Sequence, residues 1–208
     1  MISNSKKGFT LIEMMICIAI VGIISTVVMF SYSAFSDSLA LSSAGQEIAV
    51  EVRQAQVYGL SVKENTVGGS GQFNNGYGVH ISLDDPTNYY IFVDLANPIP
   101  NNKYDGNSTC APGGECVEKM SLRSGVSITA ICGAAFGNTV SCPLSASIRA
   151  MDIIFVRPNP DAQIRFLISG GSFYQSGGTF QTGQIILTSA GGKTMKLTIQ
   201  NTGQISLQ

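Results

Sequence analysis

Residues 1–35 read MISNSKKGFTLIEMMICIAIVGIISTVVMFSYSAF, and this stretch decides the architecture. From Phe9 to Phe30 the chain runs for 22 residues with a single charge, Glu13. A helix of that length reaches about 33 Å, enough to cross the hydrocarbon core of a bilayer. Lys6 and Lys7 are the only cations before Arg53. That asymmetry predicts a cytoplasmic N-terminus, with everything beyond about residue 31 on the far side of the membrane. A secretory signal peptide is the competing reading, and Ser38-Leu39-Ala40 supplies a small-x-small cleavage site for it. The apolar core of such a signal is usually shorter, about 7–15 residues. Glu13 argues against it more strongly. A carboxylate in the apolar run costs insertion free energy, up to about 3 kcal/mol at the bilayer centre. A segment made to be discarded gains nothing from that cost. The remaining bland account is that Glu13 snorkels to the headgroups from its shallow position.

The composition agrees with one anchor and one compact domain. Of 208 residues, 44% are hydrophobic and only 12% charged, with 23 glycines and no tryptophan. Charge is too scarce for a disordered acidic or basic chain, and a single long apolar run excludes a polytopic membrane protein. The net charge of −1 speaks against a protein whose main work is gripping nucleic acid through a basic face.

Lys6-Lys7-Gly8-Phe9-Thr10-Leu11-Ile12-Glu13, directly before an apolar helix, resembles the cleavage and methylation site of type IV prepilins and type II secretion pseudopilins. The resemblance implies cleavage between Gly8 and Phe9 by a membrane-embedded prepilin peptidase, and N-methylation of the new terminus at Phe9. Glu13 then becomes the fifth residue of the mature chain. Its implied role is assembly: the carboxylate pairs with the amine of a neighbouring subunit when helices replace lipid around it. The chemistry is self-consistent. Gly8 has no side chain to obstruct a tight cleavage site, the freed amine is largely cationic near neutrality, and a buried carboxylate needs a partner.

Beyond Ser36 the sequence turns polar but keeps a stripe of Leu41, Ala44, Ile48, Val52, Ala55, Gly59 and Val62 at spacings of three and four. This is one face of an amphipathic helix, with Gln46, Arg53 and Gln54 away from it, and it predicts a nearly continuous rod whose second half packs on a sheet. Gly68–Gly71 and Asn74-Asn75-Gly76 mark a loop. Strands are expected at Tyr77–Leu83 and Tyr89–Leu95, joined by the turn Asp84–Asn88, and a polar insertion follows from Asn97 to about Glu115. Further strands are expected at Val126–Cys132, Met151–Val156, Gln163–Ile168, Gln184–Thr188, Met195–Gln200 and Gln204–Leu207, with turns at 157–161, 190–192 and 201–203. The expected fold class is therefore α+β and pilin-like, a long N-terminal helix packed on antiparallel sheet. Its divisions are a leader at 1–8, a transmembrane and assembly helix at 9–35, an amphipathic helix at 36–65 and a β-rich domain at 66–208. Within the pilin class this layout most resembles the GspH/FimT group of minor pseudopilins and minor pilins, through Ala49–Gly59, Phe155–Pro158 and Gly203-Gln204-Ile205. Asn159-Pro160-Asp161 departs from the glycine of that group. Gln204 and Gln208 stand near the C-terminus, where its DNA-binding members carry basic residues.

Of five cysteines, Cys17 lies in the apolar run as a small apolar residue. Cys110, Cys116, Cys132 and Cys142 fall on the far side, where disulfides persist, and permit three pairings. Cys110–Cys116 and Cys132–Cys142 are expected, because each closes a short glycine-containing loop and would stabilise by roughly 2–3 kcal/mol. Zinc is disfavoured by these spacings. Asp84, Asp85 and Asp105 lack the spaced ligands of a calcium loop. Gly191-Gly192-Lys193-Thr194 lacks the upstream glycine of a phosphate loop, with Leu187 in its place. Asn107-Ser108-Thr109 fits a glycosylation triplet that arises often by chance. The lone histidine, His80, is expected on a strand with a local partner, and no catalytic constellation includes it.

These readings predict a structural minor pilin or pseudopilin without enzymatic activity and without a cofactor. Its partners are the prepilin peptidase, other pilin or pseudopilin subunits, and the inner membrane that a single helix crosses. The rival of another class is a DNA-binding minor pilin for DNA uptake. With Lys6, Lys7 and Glu13 set aside, ten basic residues face twelve acidic ones, so DNA is disfavoured as a partner unless charge is clustered. A secreted enzyme with an uncleaved anchor is the third class, and it would depend on His80.

Overall fold

The computed structural model describes residues 8–61, 75–95, 100–106, 110, 113–123, 125–175 and 179–208. Lys6, Lys7, Val62, the glycine-rich loop at 68–71 and the triplet at 107–109 lie outside the described residues. One helix, α1, runs unbroken over Leu11–Leu60, 50 residues and about 75 Å. Thr10 caps it in extended conformation, its Oγ1 accepting from the Glu13 N–H at 3.3 Å. Ser61 ends it, donating its N–H to the Val57 carbonyl at 2.9 Å. Ser36 and Asp37 therefore lie inside the helix and do not start a second one.

The two halves of α1 have different surroundings. Leu11–Met29 has mean hydropathy 2.6 and buries nothing against the other described residues. In the second half the sequence stripe is the buried face: Leu41, Ala44, Ile48, Val52, Ala55 and Gly59 are all buried. Gln46 and Arg53 are exposed.

That face packs on a domain with nine strands among the described residues: β1 Tyr77–Ser82, β2 Asn88–Val93, β3 Cys116–Ser121, β4 Val126–Ala134, β5 Ile148–Val156, β6 Asn159–Ile168, β7 Thr182–Ser189, β8 Thr194–Gln200 and β9 Ile205–Leu207. They form an antiparallel five-stranded sheet in the order β3-β2-β1-β5-β6 and an antiparallel four-stranded sheet in the order β4-β7-β8-β9. The alternation of side chains explains both faces of the first sheet. Val79 and Ile81 of β1, Met151, Ile153 and Phe155 of β5, and Ile164 and Phe166 of β6 join Ile48 and Val52 in one core. From the second sheet Ile185, Leu187, Leu197 and Ile199 enter the same core. On the opposite face of the first sheet, Tyr90, Phe92 and Ile154 form a second small core with Tyr104 and Cys116.

Three differences from the sequence reading have physical causes. First, β3 was not anticipated. It is an edge strand whose Val117, Glu118 and Lys119 are exposed, so it carries no apolar alternation to read. Second, Asn159-Pro160-Asp161 belongs to β6 and not to the turn. A proline is tolerated there because β6 is a sheet edge, and the Pro160 carbonyl accepts from the Gln56 side chain at 3.3 Å. Third, β4 continues to Ala134 through a register shift between Ile128 and Ala130. That bulge brings Ile131 into the core, where strict alternation would have aimed its neighbours.

The closest approach of helix to sheet is at Gly59. A Cβ there would collide with the Phe155 carbonyl oxygen and come within 2.9 Å of the Phe155 Cβ. Near the other end of the packed face, a Cβ at Gly45 would meet Leu207 Cδ2 at 2.7 Å and Met195 Sδ at 3.1 Å.

Candidate assembly and anchoring site

Gly8, Phe9 and Thr10 precede the helix in non-helical conformation. This follows from the cap: Thr10 uses its side chain to satisfy the Glu13 N–H, one of the orphan donors of the first turn. The Gly8–Phe9 bond is thus held outside the helix. Gly8 has nothing within 4 Å of a hypothetical Cβ, and Phe9 is 78% exposed. Glu13 stands in the first turn, where the helix dipole favours a negative charge by about 0.3–1 kcal/mol. Its side chain is exposed and in no ion pair among the described residues. Among the described residues the fold therefore gives the carboxylate no charged partner. It is a charge on an otherwise apolar cylinder that includes the exposed Cys17.

The far-side domain carries both disulfides, Cys110–Cys116 with Cα atoms 4.9 Å apart and Cys132–Cys142 with 4.5 Å. The first ties the polar insertion to the start of β3. The second lies beside the bridge between Gly133 and Ser141 and closes the loop after β4.

Three acids buried with the outer face of the first sheet, Asp94, Glu115 and Asp152, are the residues that sequence reasoning missed. His80 lies on β1 with a local partner: its Nδ1 is 2.6 Å from Asp152 Oδ1 of β5. The other oxygen of Asp152 accepts from the Tyr104 N–H at 2.9 Å, and the Tyr104 ring packs 4.6 Å from the His80 ring. Asp94, fully buried, accepts from the N–H groups of Asn101 and Asn102 at 3.2 and 2.8 Å. Glu115, 8% exposed, accepts from the N–H groups of Leu95 and Asp105 at 3.2 and 2.6 Å. Three carboxylates thus substitute for ladder partners and fold the insertion down on the sheet. For Asp94 and Asp152 the one sequence signal was a lone acid beside or inside an apolar run, Ile91-Phe92-Val93-Asp94 and Met151-Asp152-Ile153, the same signal that singled out Glu13, whereas Glu115 follows Gly113-Gly114 and carried none.

Burial pushes the Glu115 carboxyl up to about 7, against the two N–H donors that favour its charged form and with help from Asp105 and Asp94. Burial also raises Asp94, opposed by the Asn102 and Asn101 N–H groups. An acid whose folded pKa is raised contributes stability that is present below its unfolded value and lost as pH climbs through the folded one. Resistance to thermal unfolding is therefore expected to fall between pH of about 4.5 and about 7. Glu115→Gln should flatten that slope in melting curves of the full chain in detergent, leaving the shares of Asp94 and Glu51, whose carboxyls burial also raises. An unchanged slope would show that Glu115 titrates normally.

The acidic residues considered for calcium are otherwise engaged. Asp84 pairs with Arg149, Asp85 with Lys119, and Asp105 with Lys103. No group of three side chains suited to a metal ion occurs among the described residues. Gly191-Gly192-Lys193 forms the β7–β8 turn, with Gly192 at φ 79°, as a tight turn requires.

An exposed apolar helix running on into a helix packed on antiparallel sheets is the α+β layout of a pilin-like protein. In agreement, residues 3–29 match the family described as the prokaryotic N-terminal methylation motif. That match covers the N-terminal segment alone, which is similar to the processing segment of type IV pilin-like prepilins, and the apolar helix fits a single-pass membrane anchor. No curated protein and no solved structure matches the chain.

Proposed function

We propose that the chain is a minor pilin or pseudopilin subunit of a type IV pilus or type II secretion pseudopilus, of the GspH/FimT kind. In this reading residues 1–8 are a leader, cleavage falls between Gly8 and Phe9, and Phe9 is N-methylated. The helix from Phe9 to about residue 35 first anchors the subunit and then packs in the filament, with Glu13 meeting the amine of a neighbour. The β-rich domain stands on the far side of the membrane. The observation that carries the reading is the helix itself: Leu11–Met29 buries nothing against the other described residues, yet is continuous with a helix packed along one face. An apolar surface of that extent is built to be covered, by lipid before assembly and by other helices after it.

DNA binding is the weaker alternative. The net charge of −1 disfavours a phosphate backbone, and three of the described cations, Arg149, Lys119 and Lys103, are each paired with an aspartate. Intact-mass analysis of protein extracted from its native membrane tests the processing. The expected terminus is Phe9 carrying one methyl group. A terminus at Leu41, after the Ser38-Leu39-Ala40 site, would overturn the pilin reading.

A further inference from the structure

Beside α1, just past the end of the apolar span, lies a recess of about 300 Å³ lined by Tyr32, Phe35, Ser36, Leu39, Ser43 and Arg123. Five of these come from one face of the helix and the sixth from the loop between β3 and β4. Resting on the anchor reading above, we propose that this recess binds the headgroup of a membrane phospholipid from the leaflet into which the helix emerges. The guanidinium of Arg123 would sit on the lipid phosphate, and Tyr32, Phe35 and Leu39 would line the way up from the acyl chains.

Position carries the first part of the argument. The helix is unbroken from Leu11 to Leu60, so Tyr32 lies about 4–5 Å and Phe35 about 9 Å beyond Met29 along the axis. The headgroup layer is roughly 5–8 Å thick on each side of the hydrocarbon core. Tyr32 therefore falls within that layer and Phe35 at its outer edge, while Leu39 and Ser43, about 15 and 21 Å beyond Met29, stand above it. Tyr32 and Phe35 are 70% and 61% exposed, and aromatic rings at this depth are the usual interfacial anchors.

Charge carries the second part. Arg123 is exposed and in no ion pair among the described residues, unlike Arg149, Lys119 and Lys103. Its long stem allows the guanidinium to reach toward the phosphate plane while the methylenes stay on apolar surface. On a neighbouring face of the helix Lys193 adds a second cation, its Nζ donating to Ser38 Oγ at 2.7 Å. Among the acids at this end, Asp37 is lodged against Gly191, where a Cβ would collide with its carboxylate, and Asp84 and Asp85 of the turn beside the β3–β4 loop are paired with Arg149 and Lys119. The hydroxyls of Ser36 and Ser43 add hydrogen-bonding capacity to the recess. A cation, two hydroxyls and an apolar floor at the membrane boundary match a phosphate ester with attached chains better than a free anion, which has no use for the apolar floor.

The chain has no tryptophan, so Phe35→Trp introduces a single fluorescent reporter at the level of the headgroups, with Tyr32→Trp as a second in case the first disturbs packing. The full chain is reconstituted in vesicles of phosphatidylcholine mixed with phosphatidylglycerol, one or the other carrying a nitroxide on its headgroup. The expected result is strong quenching by both, favouring phosphatidylglycerol by about fivefold, with the preference lost in Arg123→Gln. Quenching by aqueous acrylamide with none from the headgroup nitroxide, in protein that floats with the vesicles, would overturn the proposal and leave the anchor reading intact. Shielding from both quenchers that grows with protein density would assign the recess to a second copy of the chain and overturn the lipid assignment. Failure to float with the vesicles would overturn both readings.

Discussion

Replacing Glu13 by alanine is expected to lower the ratio of filament-associated to membrane-resident subunit by at least tenfold, while insertion and folding are untouched. The structure separates the two. The contribution of Glu13 to α1 is made through its backbone N–H, which Thr10 caps, and that N–H survives the substitution. The dipole effect of its charge is worth at most about 1 kcal/mol. Removing an acid from an apolar segment eases insertion, so membrane levels should match or exceed wild type. Assembly is different. If the carboxylate meets the terminal amine of a neighbour where lipid has been expelled, losing it strands a buried cation, and stranded charges cost about 3–5 kcal/mol. Even the lower figure exceeds a hundredfold in an equilibrium. The tenfold bound allows for recruitment of the subunit through its β-domain as well. The measurement is the filament-to-membrane ratio at matched expression. A ratio at the wild-type value would make Glu13 an interfacial residue without a pairing role.

The second large effect is expected at Gly59. Gly59→Val should destabilise the β-domain by about 3 kcal/mol or more, read as a lower melting temperature of the full chain in detergent. The reason is geometric. The obstacle at Gly59 is the Phe155 backbone and not the end of a flexible side chain. Phe155 sits in β5, held between β1 and β6, so the sheet cannot yield locally. The helix would have to lift, which uncovers Ala55 and Val52 below it. Gly22→Ala is the contrasting case: nothing lies within 4 Å of a Cβ at Gly22, and domain stability should be unchanged. A Gly59→Val protein that melts with the wild type would mean that the top of α1 is not docked on β5 in solution.

These expectations draw on different layers of information. The anchor, the single rod and its packed face were legible because helical amphipathicity is local and periodic. Each of Leu41, Ala44, Ile48, Val52 and Ala55 is buried where a period of 3.6 residues puts it. The disulfides Cys110–Cys116 and Cys132–Cys142 were legible for a related reason, since short loops leave few geometric choices.

The sequence by itself determined a membrane-length helix bearing one carboxylate and continuing into an amphipathic half, a β-rich domain after it, and the processing motif at its head. Only the tertiary structure decided which polar groups that domain buries together. His80 and Asp152 are 72 positions apart and meet because β1 pairs with β5 in register. Edge strand β3 forms because β2 offers it a ladder, not because its own residues demand one. The recess beside Tyr32 and Phe35 exists because the β3–β4 loop brings Arg123 back to the base of the helix. Local periodicity records which face of an element is apolar. It does not record which distant element that face, or a lone charge upon it, will meet, because that is fixed by strand order and close packing of the whole domain.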